Sequence, residues 1–409
     1  MKINKKLFYV TFISVLVISS IPNYTLAIET FSDDLPQLTA GNQGEYLMVY
    51  IRNSISNEVI YDRNIFSRNI RKTPTEFQTI ENNDTLVTPL RFVLDNITVY
   101  INKTAIVTFN EITYLFMAAH EIISDNLTFL ATATTDNGRS WSDLSYFLNT
   151  TLAFDDFYNF DVAYKGENLY LAYSYSQAGD KTKVFNIDPE DYTVLSETQA
   201  GNYFGVDFKL YPYDGRIYIL STEPFLKQQV RITYTTIGFG FEGPTLLFEA
   251  PQLLTNEFNP TMVRWNDGFF MAAHDKLTDE FDPAQNITFD EYYLWGAWFE
   301  DVDEPNSVVY HTVVRDTADG YFRKDPSLEV YEGRLFLAYQ YGEGSRFGSA
   351  GTPDVTFAFS ADSQTWTNDF IGKISVFLNP GSYFVIATIG CFALAVPSIF
   401  FYNKFKKGK

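Results

Sequence analysis

The sequence predicts an all-β protein in which six similar sheets stand around an axis, followed by one membrane-spanning helix at the C-terminus. Three observations carry this. A strand–turn–strand pattern recurs along the chain. A polar turn ending in Trp occurs twice. No helical periodicity shows between residues 30 and 375, whereas residues 381–402 form one uncharged apolar run.

The recurring pattern reads Asp or Pro, a short alternating strand, a Gly-containing turn and then a strongly apolar strand. Clear copies run through residues 161–172, 207–220, 260–272 and 326–338, with weaker ones ending in 46–49 and 114–118. Their spacing fits a four-stranded blade of about 40–50 residues or slightly more. Six copies predict six blades.

The first polar turn carries Thr134, Asp136, Gly138, Ser140 and Trp141. A shorter version carries Ser360, Asp362 and Trp366. Both follow strand-like stretches. A carboxylate there accepts turn N–H groups, Gly allows positive φ, and the Trp packs beneath the turn. These turns resemble the Asp-boxes of sialidase-like β-propellers, with Asp136, Gly138, Trp141, Asp362 and Trp366 in the structural roles. The resemblance covers residues 28–372 as architecture, as a six-bladed sialidase-like β-propeller, and two blades in motif detail. A degenerate copy at residues 235–241 has Ile237 in place of Asp.

The two ends predict a membrane-anchored arrangement. Lys2, Lys5 and Lys6 precede an apolar stretch at residues 7–19, and residues 25–27 end in Ala27, so residues 1–27 read as a cleaved signal peptide. Residues 373–380 form a short connector to the span at 381–402, which is long enough to cross ~30 Å of hydrocarbon. Residues 403–409 form a basic tail, and that charge predicts a cytoplasmic C-terminus with the propeller outside the cell.

Charge and cysteine bound the partners. The chain carries 50 Asp and Glu against 30 Lys and Arg, net −20, and every acidic residue lies between the two terminal segments. That argues strongly against nucleic acid as a partner. The one cysteine, Cys391, lies in the span, so the outer domain has no disulfide and relies on packing. Its 38 Phe and 28 Tyr supply apolar area for that. Sequons at Asn83, Asn96, Asn102, Asn126, Asn149 and Asn286 fit a glycosylated exterior.

Antiparallel order puts the B–C and D–A loops of each blade at the end opposite the Asp-box turns, where sialidase-like proteins hold their cleft. At the ends of B strands, His120 and Glu121 match His274 and Asp275 in register. Equivalent positions hold Arg52, Ser174, Glu223 and Gln340. The D–A loops add Asp161, Asp207, Asn259 and Asp325, with Arg323 nearby. His and carboxylates at one mouth suit acid–base work or a metal. Each also has a structural use, in packing against a neighbouring blade or accepting turn N–H bonds. Asp279, Asp282 and Asp290 fall in an acidic B–C loop whose hard oxygens could hold calcium, although no EF-hand register is present.

The resemblance implies hydrolysis of sialosides through three arginines on the substrate carboxylate, a Tyr–Glu nucleophile pair and an Asp acid. Residues 36–45 contain no Arg, and residues 324–326 read Lys, Asp, Pro where the nucleophilic Tyr is expected. The expectation is therefore a cell-surface propeller that binds a glycan or glycosylated partner without catalysis. The alternative is a sialidase-like exo-glycoside hydrolase using Asp325 and Glu223. Ligand binding would fall to Arg52, His120, Glu121, Asp161, Asp207, His274, Asp275 and Arg323.

Overall fold

The computed structural model describes residues 30–40, 45–56, 59–72, 77–79, 84–176, 180–201, 208–222, 229–235, 241–249, 259–282, 287–302, 308–315, 321–343, 354–367 and 370–371. The predicted signal segment, span and tail lie outside these residues. Among the described residues no helix is long and apolar enough to cross a membrane.

The strands fall into six sheets. Sheet 1 holds β1 (Thr30–Ala40), β2 (Glu45–Ser56), β3 (Val59–Lys72) and β4 (Phe77–Thr79), with β5 (Thr85–Pro89) also against β3. Sheet 2 holds β6 (Arg91–Leu94), β7 (Ile97–Phe109), β8 (Ile112–Glu121), β9 (Asn126–Thr134) and β10 (Ser145–Ala153). Sheet 3 is β11 (Phe157–Lys165), β12 (Asn168–Ser176), β13 (Asp180–Ile187) and β14 (Val194–Gly201). Sheet 4 is β15 (Phe208–Tyr213), β16 (Arg216–Thr222), β17 (Gln229–Thr235) and β18 (Phe241–Glu249). Sheet 5 is β19 (Thr261–Trp265), β20 (Gly268–Asp282), β21 (Ile287–Phe299) and β22 (Val308–Arg315). Sheet 6 is β23 (Tyr321–Tyr331), β24 (Arg334–Glu343), β25 (Asp354–Ser360) and β26 (Phe370–Ile371). Sequence neighbours pair as antiparallel meanders wherever the register is defined.

Interior strands such as β8 and β12 are buried on both faces. In β12 every residue from Leu169 to Tyr175 is buried, and β8 is buried from Leu115 to Ala119. A strand walled on both sides has no reason to alternate, and so its sequence is a continuous apolar run. The walls are the neighbouring sheets. Leu115, Met117 and Ala119 of sheet 2 pack with Val49 and Ile51 of sheet 1. Phe116 and Ala118, on the opposite face, pack with Leu169, Leu171 and Tyr173 of sheet 3. The same sharing joins sheets 3 and 4 through Ala172 and Ile219. Tyr218 and Trp295 join sheets 4 and 5, and Phe270 and Leu337 join sheets 5 and 6. Phe336 and Phe357 then return to Tyr46, Met48 and Tyr50 of sheet 1. Consecutive sheets therefore bury each other's faces in a closed cycle. The fold is an all-β propeller.

Strand β1 links the inner edges. The Leu38 N–H donates to Ser327 Oγ of β23 at 2.9 Å. Thr39 Oγ1 donates to Thr108 Oγ1 of β7 at 3.1 Å, and Lys209 Nζ of β15 donates to Gln37 Oε1 at 3.1 Å. Glu329 of β23 lies on the same inner side, where Oε1 accepts the Val330 N–H at 3.1 Å. Burial pushes the Glu329 carboxyl up to about 7, only partly offset by the Val330 and Ala40 N–H groups. The folded chain thus holds a proton that the unfolded chain releases in the ordinary Glu range. This stability is fully present below about 4.5 and is lost as pH rises towards about 7. We expect Glu329→Gln to remove a loss on the order of 3 kcal/mol between those pH values. Urea midpoints of both proteins at pH 5 and pH 8 read it. Equal pH slopes would refute it.

The two Trp-ending turns join β9 to β10 and β25 to β26. Asp136 accepts from the Ser140 N–H at 2.9 Å and from Thr134 Oγ1 at 2.7 Å. Gly138, at φ +78°, presses against Leu47 and Ser67 of sheet 1, leaving no room for a side chain. Trp141 Nε1 donates to Ser67 Oγ at 3.0 Å. In the second turn Asp362 Oδ1 accepts the Gln364 and Thr365 N–H groups at 3.0 and 2.6 Å. Trp366 Nε1 donates to the Ser363 carbonyl, and its ring lies 5.8 Å from that of Phe270. Each Trp thus fastens a turn to itself or to the neighbouring sheet.

Candidate functional site

The structure brings two of the sequence-predicted site residues together. His274, near the middle of β20, is buried at 2 % exposure. Its Nδ1 accepts the Asp325 N–H at 3.1 Å. That bond fixes the tautomer with the proton away from Nδ1. Asp325, in β23, holds a left-handed backbone at φ +53°. Its Oδ1 accepts from Asn259 Nδ2 at 3.0 Å, and Lys324 Nζ lies 3.8 Å from Oδ2. The carboxylate is held by Asn259, just ahead of β19, on one side and by its own strand on the other. Arg323 is buried, with its guanidinium 5.3 Å from the centre of the Tyr341 ring. The irregularity between Lys324 and Ser327 in the β23–β24 register coincides with this site. Such irregularities re-aim side chains at the rims of sheets.

A second polar cluster lies in sheet 1. Arg52 Nη1 and Arg68 Nη2 both donate to Asp84 Oδ2 at 2.9 Å, and Arg68 Nε donates to Oδ1 at 2.6 Å. Arg52 Nη2 also donates to Tyr50 Oη at 3.0 Å, and its guanidinium lies 5.0 Å from the Phe66 ring centre. Burial raises the Asp84 pKa, but the hydrogen bond and charge of Arg68, then those of Arg52, bring it below the ordinary carboxylate value. Arg52 is thus engaged within its own sheet. Its partners Arg68, Asp84 and Tyr50 were absent from the sequence-based candidates, as was the use of Asn259 as a hydrogen-bond donor.

The remaining candidates take structural roles or lie elsewhere. The His120 ring packs between Tyr100 and Phe154, with centroids at 5.9 and 4.7 Å. Glu121 accepts from Ser124 Oγ at 2.6 Å within its own turn. Both belong to sheet 2, whereas His274 belongs to sheet 5. Asp161 is buried in β11 and ties sheet 3 to sheet 4. Its Oδ2 accepts the Leu210 N–H at 2.8 Å, and Lys209 Nζ lies 3.4 Å from Oδ1. Burial raises the Asp161 pKa despite that lysine. Asp207 and Glu223 lie outside the described residues.

The acidic segment expected as a loop is strand. β20 extends to Asp282 and β21 begins at Ile287, with Asp279 paired to Asp290 and Asp282 to Ile287. Phe281, Ile287 and Phe289 supply the β-forming residues that continue both strands. Asp275 pairs with Tyr293 in the same ladder. Among the described residues no group of three or more His, Cys, Asp or Glu is arranged to hold a metal ion.

No protein-family model matches the chain, and no curated protein matches it in sequence. Solved structures do match it in fold. A mutant of Trypanosoma rangeli sialidase displaying trans-sialidase activity superposes with a TM-score of 0.52 and 9% identity, covering 81% of this chain and 54% of that one. Trypanosoma rangeli sialidase in complex with sialic acid gives 0.50 and 10% over 81% and 54%. A protein of unknown function from Dyadobacter fermentans gives 0.53 and 12%, covering 82% and 96%. The chain therefore spans about half the length of the sialidases it matches. With its closed cycle of packed sheets, the chain carries the sialidase-like β-propeller fold.

Proposed function

We propose that the protein is a six-bladed propeller acting as an exo-glycoside hydrolase of sialidase-like type. The observation that carries this reading is the Asp325 carboxylate, gripped by Asn259, on a backbone whose N–H is held by buried His274, in a fold like that of sialidases. Hydrolysis of a glycosidic bond needs one carboxyl group to protonate the leaving oxygen and a second group on the sugar's other side. Asp325 would supply the first. Glu223 is the sequence-based candidate for the second. Lys324, beside Oδ2, adds positive charge near a glycan hydroxyl or carboxylate. The six packed sheets and their cyclic sharing of faces support the count of six blades. The charge pattern of the termini supports display outside the cell on a C-terminal anchor.

A second reading is a propeller that binds a glycan or glycosylated partner without cleaving it. It is favoured by the Arg52–Asp84–Arg68 cluster, whose guanidiniums are already paired internally and so are closed to a ligand carboxylate.

A panel of reporter sialosides and other reporter glycosides, assayed on intact cells and on separated membrane and soluble fractions, tests both. The hydrolase reading expects sugar release that falls by about 10²–10⁴-fold in Asp325→Asn while glycan binding persists. Binding with no release from any glycoside would establish the second reading. Activity confined to the soluble fraction would overturn the anchored arrangement.

A further inference from the structure

At the other end of the ring, between sheets 2 and 3, lies a cavity of about 800 Å³. Its walls come from the turn after β7, the start of β8, the end of β11 and the β13–β14 turn. The site around His274 and Asp325 sits elsewhere, between sheets 5 and 6. The two regions are separate surfaces of one propeller.

The cavity's chemistry is specific. Phe109, Tyr114, Tyr164 and Tyr192 line it as aromatic walls. Glu167, Asp188 and Glu190 line it as well, and no Lys, Arg or His does. The Tyr164 ring stacks on Phe109, and its Oη is buried with no hydrogen-bond partner among the described residues. Tyr192 adopts φ +61°, a conformation that costs a bulky residue on the order of 1–3 kcal/mol. The strain is held by edge-on packing of its ring against Phe147 at 5.1 Å and by the Tyr192 N–H donating to the Asp188 carbonyl at 2.9 Å. The packed surroundings therefore hold this ring at the cavity wall.

Aromatic walls and three carboxylates around one space suit a cation with an apolar part. The space is too large for a bare metal ion, and no three of its acidic groups converge as metal ligands. A cation with an apolar stem fits better, because the stem covers aromatic surface while the charged head faces the carboxylates. We propose that this cavity binds a primary ammonium group on an alkyl chain, held among the three lining carboxylates. The aromatic walls cover the alkyl stem, and Glu167 supplies counter-charge. Such a group occurs on a free polyamine and on a lysine side chain of another protein, and both present the same chemistry.

Titration calorimetry on the full-length protein separates these sources. Spermidine, a lysine-containing peptide and the same peptide with acetylated lysines are the probes. Saturable 1:1 binding of spermidine or of the lysine peptide, lost on acetylation, is expected. Tighter binding by the peptide would identify a protein partner, and tighter binding by spermidine a free amine. Glu167 is exposed, so Glu167→Gln leaves the fold intact and should weaken binding about tenfold. Glu190, also exposed, offers a second lining carboxylate, and Glu190→Gln should weaken binding as well. Absence of binding by both amines at millimolar concentration overturns the proposal. So does binding that is unchanged in Glu167→Gln and Glu190→Gln, which would mark diffuse attraction to an acidic surface.

Discussion

Asp84→Ala is expected to destabilise the protein by on the order of 3–5 kcal/mol, because it strands two buried guanidiniums without their shared anion. Asp84 closes three hydrogen bonds to Arg52 and Arg68, and both arginines are buried. Removing a partner from such a group costs more than the pair contributes, since the remaining charge keeps its desolvation penalty. The companion variant is informative. Replacing Arg52, Arg68 and Asp84 together by apolar residues of similar volume should recover much of the loss. Chemical denaturation of the single and triple variants distinguishes this account from simple loss of surface charge, for which both would stay near wild type. The pH dependence has a definite sign. The Asp84 pKa is lowered on folding, so its contribution is present above the ordinary Asp range and is lost as pH falls through the folded value.

The second large effect is expected at Trp295. This side chain of β21 is 1 % exposed and sits in the cluster shared by sheets 4 and 5, against Tyr218, Leu220 and Met271. Its neighbour Gly296 has Phe270 and the Met271 carbonyl so close that even a methyl group would collide. A site this tightly bounded by backbone relaxes little when emptied. Trp295→Ala should therefore fall in the range of about 3–5 kcal/mol found for large aromatic truncations. Thermal unfolding reads it, with Trp295→Phe recovering a substantial part. A loss below about 1 kcal/mol would mean that the sheets close over the hole, contrary to a rigid joint between them.

The architecture was legible because its main signal is local. Runs such as Leu169–Tyr175 lack alternation, and this marks strands walled on both faces. The polar turns at Asp136 and Asp362 announce their own hydrogen bonds. What escaped reading depended on which residues meet across sheets. Tyr46, Met48 and Tyr50 alternate along β2, and Arg52 continues their face, so a buried cation could have been suspected. Its partner Asp84 lies beyond β4, and nothing local names it. His120 and His274 look equivalent in sequence, yet one is packed between aromatic rings and the other holds a backbone N–H. Their neighbours, Phe154 and Asp325, decide that difference. The acidic stretch after Lys276 resembled a loop because charge hid the strand-forming Phe281, Ile287 and Phe289.

The joint between the sixth sheet and the first has a bearing on biogenesis. Tyr46, Met48 and Tyr50 find their covering residues, Phe336 and Phe357, almost three hundred positions later. A ribosome must deliver nearly the entire domain before that greasy surface can be hidden. The newborn chain therefore carries a sticky flank for tens of seconds at ordinary elongation speeds, and latching of the last sheet onto the first falls late in maturation.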